Sequence, residues 1–215
     1  ASEVNAAALV LQRRVSGSAL IPQLGVMYVP RGPLLEWENE TLGDQVLRDL
    51  AYFAQQNGAI FIKIDPDLPL GYGVPEEPDA RDHTVGIKVQ QNLTNRGWKF
   101  SDEQIQFKNT VVVDLRQDEE EMLMRMKSKT RYNIRLAKRR GVTVRVGNLE
   151  DVDRLYRMYA HTAVRDDFLI RSEAYYQSVW RTFIAQGMAE PLIAEVEGQP
   201  VGAVVIFRFA GRAWY

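Results

Sequence analysis

Apolar runs typical of buried strands alternate with amphipathic helical stripes along this chain, and their order constrains the fold more than any other feature. The first half has the order strand, strand, helix, strand, helix, strand, and the second half has strand, helix, helix, strand, strand, strand. The two orders predict two copies of one mixed unit, the first without its start and the second without its end. We therefore expect an α+β (mixed α/β) protein with units at 1–116 and 117–215.

Glycine and proline divide the first predicted unit into its elements. One helix is expected from about Thr41 to Gly58, and a second is expected to be capped by Asp79 and to end at Gly97. A loop rich in glycine and proline separates the two helices. The predicted strands are Ala6–Arg13, Leu24–Val29, the buried run Ala59–Ile64, and Thr110–Leu115.

The second predicted unit begins with a long basic helix, Asp118–Arg140, which links it to the first unit and ends at Gly141. Two further helices are expected after the capping residues Asn148 and Ser172. A β-hairpin is expected around Glu197-Gly198. The remaining predicted strands are Val142–Val146, Leu192–Val196 and Pro200–Phe207.

Composition excludes several classes of chemistry. The chain has no cysteine, which excludes disulfides and thiol catalysis, and its two histidines give little support to a zinc site or a Ser-His-Asp triad. The net charge of −1 gives no overall attraction to nucleic acid or membranes. No apolar run approaches about 18 residues, and no signal peptide is visible. We expect a cytoplasmic protein without a metal ion or a transmembrane segment.

The turn Pro30-Arg31-Gly32-Pro33 follows a predicted strand and holds a guanidinium at the strand end. Such a group suits a phosphate or a carboxylate, so Arg31 is a candidate substrate-binding residue. The alternative is an ordinary connector with a solvated arginine. Asp65 ends the next buried strand, where ligands usually bind in open sheets, although Asp65-Pro66 is also a common turn.

The densest charge lies in the predicted linking helix, where no acidic residue occurs from Met122 through Leu149. Cations without acidic partners repel one another, so a phosphate-bearing partner is one interpretation and a solvated helix face is the other. The eight cations are Arg125, Lys127, Lys129, Arg131, Arg135, Lys138, Arg139 and Arg140.

Arg171 lies at the mouth of the helix that Ser172 is expected to cap, and a helix N-terminus favours anions. Tyr175 follows four residues later, so the two side chains can face the same pocket. The alternative is a loop ion pair with the tyrosines in the core.

Four segments together resemble the Fem family of peptidoglycan-bridge aminoacyltransferases: Tyr28–Pro33, the strand ending at Asp65-Pro66, Lys127–Val144, and Arg165–Phe168 followed by Arg171 and Tyr175-Tyr176. The resemblance implies two acyltransferase (GNAT-like) units in tandem. It implies that an amino acid passes from aminoacyl-tRNA to the amine of a peptidoglycan precursor's stem peptide, with a nucleotide-linked or lipid-linked precursor. An aminoacyl ester is already activated, so no cofactor is expected.

The resemblance also implies roles for individual residues. Arg171 and Tyr175 look like the precursor-binding pair, with Arg171 on the diphosphate, and Asp65 lies near the family's acidic residue beside the acceptor amine. The expected contacts to tRNA phosphates are Lys127, Lys129, Arg131, Arg135 and Lys138. A precursor held by a lipid would also bring the protein to the inner face of the membrane.

Both ends of the chain depart from the family pattern. The family's precursor-binding tryptophan and lysine would precede Ala1, and its late lysine would follow Tyr215. We therefore expect this chain to hold part of an active site and to be inactive alone.

Two other functions are compatible with the residues. An acetyl-CoA-dependent GNAT enzyme acting on a small amine or peptide needs a glycine-rich pyrophosphate loop, but Arg31-Gly32-Pro33 occupies that place and Pro33 lacks an amide donor. A non-enzymatic RNA-binding module would use the basic helix, although the near-neutral net charge argues against a dedicated RNA binder. The transferred amino acid and the oligomeric state are left open.

Overall fold

The structure is a computed structural model that describes residues 3–14 and 24–215, and the chain divides into two compact units, Ala1–Val111 and Val112–Tyr215. Helices and several sheets are present, which confirms the mixed α/β class. The helices of the first unit are α1 (Glu40–Gln56) and α2 (Thr84–Asn95). Its strands are β1 (Ala6–Ala7), β2 (Leu11–Arg14), β3 (Gly25–Val29), β4 (Leu34–Leu35), β5 (Ala59–Ile64), β6 (Gly71–Tyr72) and β7 (Arg81–Asp82).

The central sheet of the first unit has the order β2-β3-β5, with β3 antiparallel to β2 and parallel to β5. Alternation along β3 buries Met27 and Val29, so the side chain of Tyr28 between them lies on the other face. Helix α1 packs against β5. The α1 side chains that become buried are Leu47, Leu50 and Ala54.

Strand β5 has the predicted bounds but is not a buried strand, because Ile60 and Phe61 are exposed. Among the described strands it lies at the edge of its sheet, which leaves one side without a neighbour. The predicted strand Ala6–Arg13 is instead two short strands, β1 and β2, that belong to different sheets.

Two predictions about the rest of the first unit are wrong. Helix α2 is capped by His83, whose ring nitrogen accepts a hydrogen bond from the Gly86 amide at 3.2 Å. Asp79 cannot serve as the cap because β7 follows it and pairs with β6. The run Thr110–Leu115 forms no strand; it pairs with no described strand, and Val111 is 88% exposed.

The second unit contains a four-stranded antiparallel sheet. Its helices are α3 (Glu119–Arg125), α4 (Ser128–Arg139), a 3-10 turn (Leu149–Asp151), α5 (Val152–Arg165) and α6 (Glu173–Ala185). Its strands are β8 (Thr143–Val146), β9 (Ala189–Val196), β10 (Gln199–Phe209) and β11 (Arg212–Trp214), and they lie in the order β11-β10-β9-β8.

The predicted hairpin is confirmed, because β9 and β10 pair around Glu197 and Gly198. Both turn residues have positive φ, 50° and 74°, as a two-residue turn between twisted strands requires. Helices α5 and α6 cover one face of the sheet. Their core comprises Val152, Leu155, Trp180 and Ile193, with Tyr156, Tyr159, Tyr176 and Phe207 packed around it.

The predicted continuous helix Asp118–Arg140 is wrong, because the chain is extended at Met126 and Lys127 between α3 and α4. The Arg131 guanidinium donates to the carbonyl oxygens of Met124 and Met126 at the end of α3. These carbonyls would otherwise lack partners at a helix end. A side chain of the second helix therefore stabilises the break.

No helix among the described residues combines the length and the apolar character needed to cross a membrane.

Candidate functional site

The first group of candidate residues lies where β3 and β5 end side by side. The hydroxyl of Tyr28 donates a hydrogen bond to Asp65 Oδ2 at 3.0 Å, and the Asp65 amide donates to the Gly32 carbonyl at 3.1 Å. Arg31 forms an ion pair with Asp67 at 3.2 Å. We call Tyr28, Arg31, Asp65 and Asp67 the strand-end cluster. Its position, at the carboxyl ends of parallel strands, is a common place for ligands in open sheets.

Tyr28 is a neutral hydrogen-bond donor in this cluster. Burial raises the pKa of its hydroxyl, a hydrogen bond with Gln106 lowers it, and the hydrogen bond to Asp65 together with that carboxylate's charge raises it, with a net upward shift. Tyr28 therefore keeps its proton at neutral pH and can hold the Asp65 carboxylate.

Arg31 has a constrained backbone conformation, but its side chain is held by an exposed ion pair. Its φ is 51°, in the left-handed region, and a cis peptide bond follows between Gly32 and Pro33. The Arg31 and Asp67 side chains are each 48% exposed, and an exposed ion pair of this kind contributes little to stability. The guanidinium can therefore exchange Asp67 for a phosphate or carboxylate of a ligand.

The second group of candidate residues lies at the start of α6. The Arg171 guanidinium lies over the ring of Tyr175, with 4.8 Å between its central carbon and the ring centroid. Ser172 is the N-cap residue, as predicted, but its side chain makes no capping hydrogen bond. Both Arg171 and Tyr175 are exposed. A cation stacked on an aromatic ring at a helix N-terminus can bind an anion through both its charge and the helix amides.

An aromatic layer supports this pair from below. Tyr175 contacts Tyr176 edge to face at 5.4 Å between centroids, and Tyr176 contacts Tyr159 at 5.2 Å. Burial raises the pKa of the Tyr159 hydroxyl, and its hydrogen bond with Tyr176 raises it further. The layer is anchored in the core through Trp180, whose ring centroid is 5.2 Å from that of Tyr176. These contacts hold the Tyr175 ring in the position where Arg171 stacks on it.

The third group of candidate residues is the basic face of α4. Arg131, Arg135, Lys138 and Arg139 line an open depression together with Ser128 and Tyr132. Lys127 stands at the N-cap, and Lys138 and Arg139 in the last turn complement the helix dipole. Within the described part of the chain, no cation from Lys127 to Arg140 forms an ion pair.

The structure gives each sequence-predicted site residue a definite place. It brings Arg31 and Asp65 to the same end of the first unit's sheet and Arg171 to the ring of Tyr175. Lys129, Arg135 and Lys138 are exposed on α4 and Lys127 is exposed at its start, whereas Arg131 is engaged with the end of α3. Within residues 3–14 and 24–215, no group of three or more His, Asp or Glu residues could hold a metal ion.

Tyr28 and Gln106 have no role in the sequence-based prediction. Tyr28 belongs to a quoted motif, and its place between the buried residues Met27 and Val29 is a signal that its side chain faces away from the core. Its partner Asp65 is 37 positions away, and the parallel pairing of β3 with β5 brings the two together.

Comparisons with known proteins agree on one family. The model of the FemAB family matches residues 1–199. The chain is 27% identical over 185 residues to the lipid II:glycine glycyltransferase of Staphylococcus haemolyticus strain JCSC1435. It is 26% identical over 176 residues to the enzyme of the same name from Staphylococcus saprophyticus subsp. saprophyticus. It is also similar to a crystal structure of FemX, with a TM-score of 0.71 and 26% identity.

These similarities extend over most of this chain but over less than half of the proteins it matches. They cover 84% and 81% of this chain in the two transferases and 42% and 40% of the transferases themselves. For FemX the coverage is 90% of this chain and 46% of the FemX chain.

Proposed function

This chain belongs to the FemAB family, and on that premise we propose that it forms part of an aminoacyltransferase that extends the stem peptide of a peptidoglycan precursor. The observation that carries this proposal is the family match over residues 1–199, together with relatives that are named lipid II:glycine glycyltransferases. We propose that the two compact units are the tandem acyltransferase (GNAT-like) units, and that the donor is aminoacyl-tRNA.

The proposed precursor contact is the Arg171–Tyr175 pair. A guanidinium can donate two parallel hydrogen bonds to a diphosphate, and the N-terminus of α6 adds a favourable field. Stacking on Tyr175 at 4.8 Å restricts the guanidinium before the ligand arrives, which lowers the entropic cost of binding. Arg31 in the strand-end cluster is a second candidate for an anionic group of the precursor.

The proposed chemical role of Asp65 is to accept a proton from the acceptor ammonium. The neutral amine nitrogen then bonds to the ester carbonyl carbon, the ester C–O bond breaks, and the tRNA ribose hydroxyl leaves with the second amine proton. The Asp65 carboxylate is half-buried, and Tyr28 holds it at Oδ2. Because the ester is activated, positioning and charge stabilisation are sufficient, and we propose that no cofactor takes part.

The proposed tRNA contact is the basic face of α4. Lys129, Arg135 and Lys138 are exposed, and a phosphate backbone would neutralise the repulsion among these cations. We propose that the reaction takes place in the cytoplasm at the inner face of the membrane, where a lipid-linked precursor would be reached.

A transfer assay with the full-length protein tests the proposal. The protein is incubated with lipid-linked precursor and tRNA charged with radiolabelled glycine, the amino acid in the relatives' names. We expect label in the precursor, and none when the tRNA is deacylated or the precursor is omitted. Acetylation of a peptide amine from acetyl-CoA, without transfer from tRNA, would contradict the proposal and favour an ordinary acetyltransferase.

A further inference from the structure

Strand register places three polar side chains on one face of the first unit's sheet. Tyr28 of β3 is paired with Lys63 of β5, and Asp65 follows Lys63 by two positions, so all three project to the same side. The buried residues Met27 and Val29 project to the opposite side. The face with Tyr28 also carries Leu11, Val26 and Phe61, and the polar side chains Tyr28, Lys63 and Asp65 lie toward the end of that face where Asp65 follows β5.

A loop segment, Ser101–Gln106, lies beside these polar side chains. The Lys63 ammonium donates to Ser101 Oγ at 2.9 Å and to the Glu103 carbonyl oxygen. Gln106 lies close enough to the Tyr28 hydroxyl to lower its pKa. The Tyr28 hydroxyl therefore has Gln106 in its surroundings as well as its hydrogen-bond partner Asp65.

The hydrogen bond from Tyr28 uses one oxygen of Asp65 and leaves the other available. Oδ2 accepts from Tyr28 at 3.0 Å, and no other side chain or amide within residues 3–14 and 24–215 donates to this carboxylate. An aspartate that is held at one oxygen can present the second to a ligand in a fixed direction. Without the hydroxyl, rotation about the side-chain bonds would spread Oδ1 over several positions.

We propose that Tyr28 is a positioning residue, which holds Asp65 by Oδ2 so that Oδ1 faces the ammonium of the acceptor. This inference rests on the proposed function and adds a residue to it. Tyr28 takes no part in proton transfer; it keeps its own proton throughout and acts through Asp65. The loop Ser101–Gln106 is held beside the site by the Lys63 ammonium, through Ser101 and the Glu103 carbonyl oxygen.

The test compares kinetics of the full-length protein with those of Tyr28→Phe, Asp65→Asn and the double variant. Tyr28→Phe removes a single oxygen atom. We expect kcat to fall roughly 10- to 100-fold, with KM for the precursor within about twofold, because a misplaced base slows the chemical step more than binding. Asp65→Asn should reduce kcat further, and the double variant should be no slower than Asp65→Asn alone.

Tyr52→Phe is the matched control, because Tyr52 is an exposed tyrosine on α1 in the same unit. It should leave both kinetic constants unchanged. Tyr28→Phe at the wild-type rate would overturn the positioning role and leave the proposed function intact. Multiplicative losses in the double variant would also overturn it, because they mean that Tyr28 acts independently of Asp65. A wild-type protein without transfer activity would overturn the proposed function and this inference with it.

Discussion

Arg145 and the cations of α4, all in the second unit, carry the same charge in opposite surroundings. Arg145 of β8 donates to both oxygens of Asp151, at 2.7 and 2.8 Å, and to Glu195 of β9 at 2.8 Å. The cations of α4 have no carboxylate partner within the described residues. We call Arg145 and its two carboxylate partners, Asp151 and Glu195, the paired cluster.

The charges of the paired cluster stabilise the fold, whereas the charges of α4 are available to a ligand. Hydrogen bonds from Arg145 hold the pKa of Asp151 at about 2, and the same contacts raise the pKa of Arg145. The Asp151 side chain is only 9% exposed, and it also accepts from the Asn148 amide. The paired cluster is therefore satisfied within the protein, whereas the face of α4 can lower its free energy by binding phosphates.

The largest effect is expected for replacement of three α4 cations. The triple variant Lys129→Gln, Arg135→Gln, Lys138→Gln should bind tRNA roughly 100-fold more weakly, and the slope of log K against log salt should become shallower by about 2. Arg131 is left intact because it stabilises the end of α3. Fluorescence anisotropy with labelled tRNA at several salt concentrations measures both quantities.

A charge-matched control lies in the first unit. Replacing Arg48, Lys88 and Lys99 by glutamine removes the same net charge from exposed positions. This variant should keep the wild-type salt slope. An equal loss in both triple variants would mean that overall charge, and not α4, determines tRNA affinity.

Asp151→Asn should act on stability instead of binding. It replaces the carboxylate that Arg145 grips at two oxygens, and we expect the free energy of unfolding to fall by about 2 kcal/mol. Chemical denaturation followed by fluorescence of Trp180 and the other tryptophans measures the change. Affinity for tRNA should stay at the wild-type value. A parallel loss of tRNA affinity would show that the paired cluster and the cations of α4 do not have separate roles.

The pH dependence of stability should report the same cluster. Because folding lowers the pKa of Asp151 from 3.8 to about 2, its contribution is complete above about pH 4 and is lost as the pH falls toward 2. Denaturation midpoints measured between pH 2 and 6 should therefore fall less steeply for Asp151→Asn than for the wild type. Identical pH profiles would show that Asp151 does not titrate as the structure indicates.

The smallest effect is expected for an exposed ion pair close by. Asp153 pairs with Arg181 at 2.9 Å, but its side chain is 57% exposed. Asp153→Asn should lower the free energy of unfolding by no more than about 0.5 kcal/mol. The same denaturation experiment serves, and a loss as large as that of Asp151→Asn would show that burial does not distinguish the two pairs.

The elements that are predicted correctly from the sequence are mostly marked by local sequence signals. The bounds of β5 and the turn at Glu197-Gly198 follow from short apolar runs and from glycine. The break between α3 and α4 was not predicted, because the sequence through Met126 and Lys127 is compatible with a continuous helix and the contact from Arg131 is visible only in three dimensions. Likewise, the pairing of β6 with β7 moves the start of α2 beyond Asp79.

In the candidate site, too, contacts between residues close in sequence are predicted and contacts between distant residues are not. The spacing of four residues predicts that Arg171 and Tyr175 can face the same pocket, and the two are in contact although Arg171 precedes the N-cap of α6. The contact between Tyr28 and Asp65 depends on the pairing of β3 with β5 across α1, which local sequence does not encode. Residues that act through long-range contacts were therefore missed.

The central claim, that cations without carboxylate partners bind the substrate, is tested most directly at Arg171. Calorimetric titration of the full-length protein with a nucleotide-diphosphate-linked precursor should show a loss of about 1.5–3 kcal/mol in binding for Arg171→Ala. The melting temperature should remain at the wild-type value, because Arg171 is exposed and its one described partner is the ring of Tyr175. Unchanged affinity with a lowered melting temperature would contradict the account and make Arg171 a structural residue.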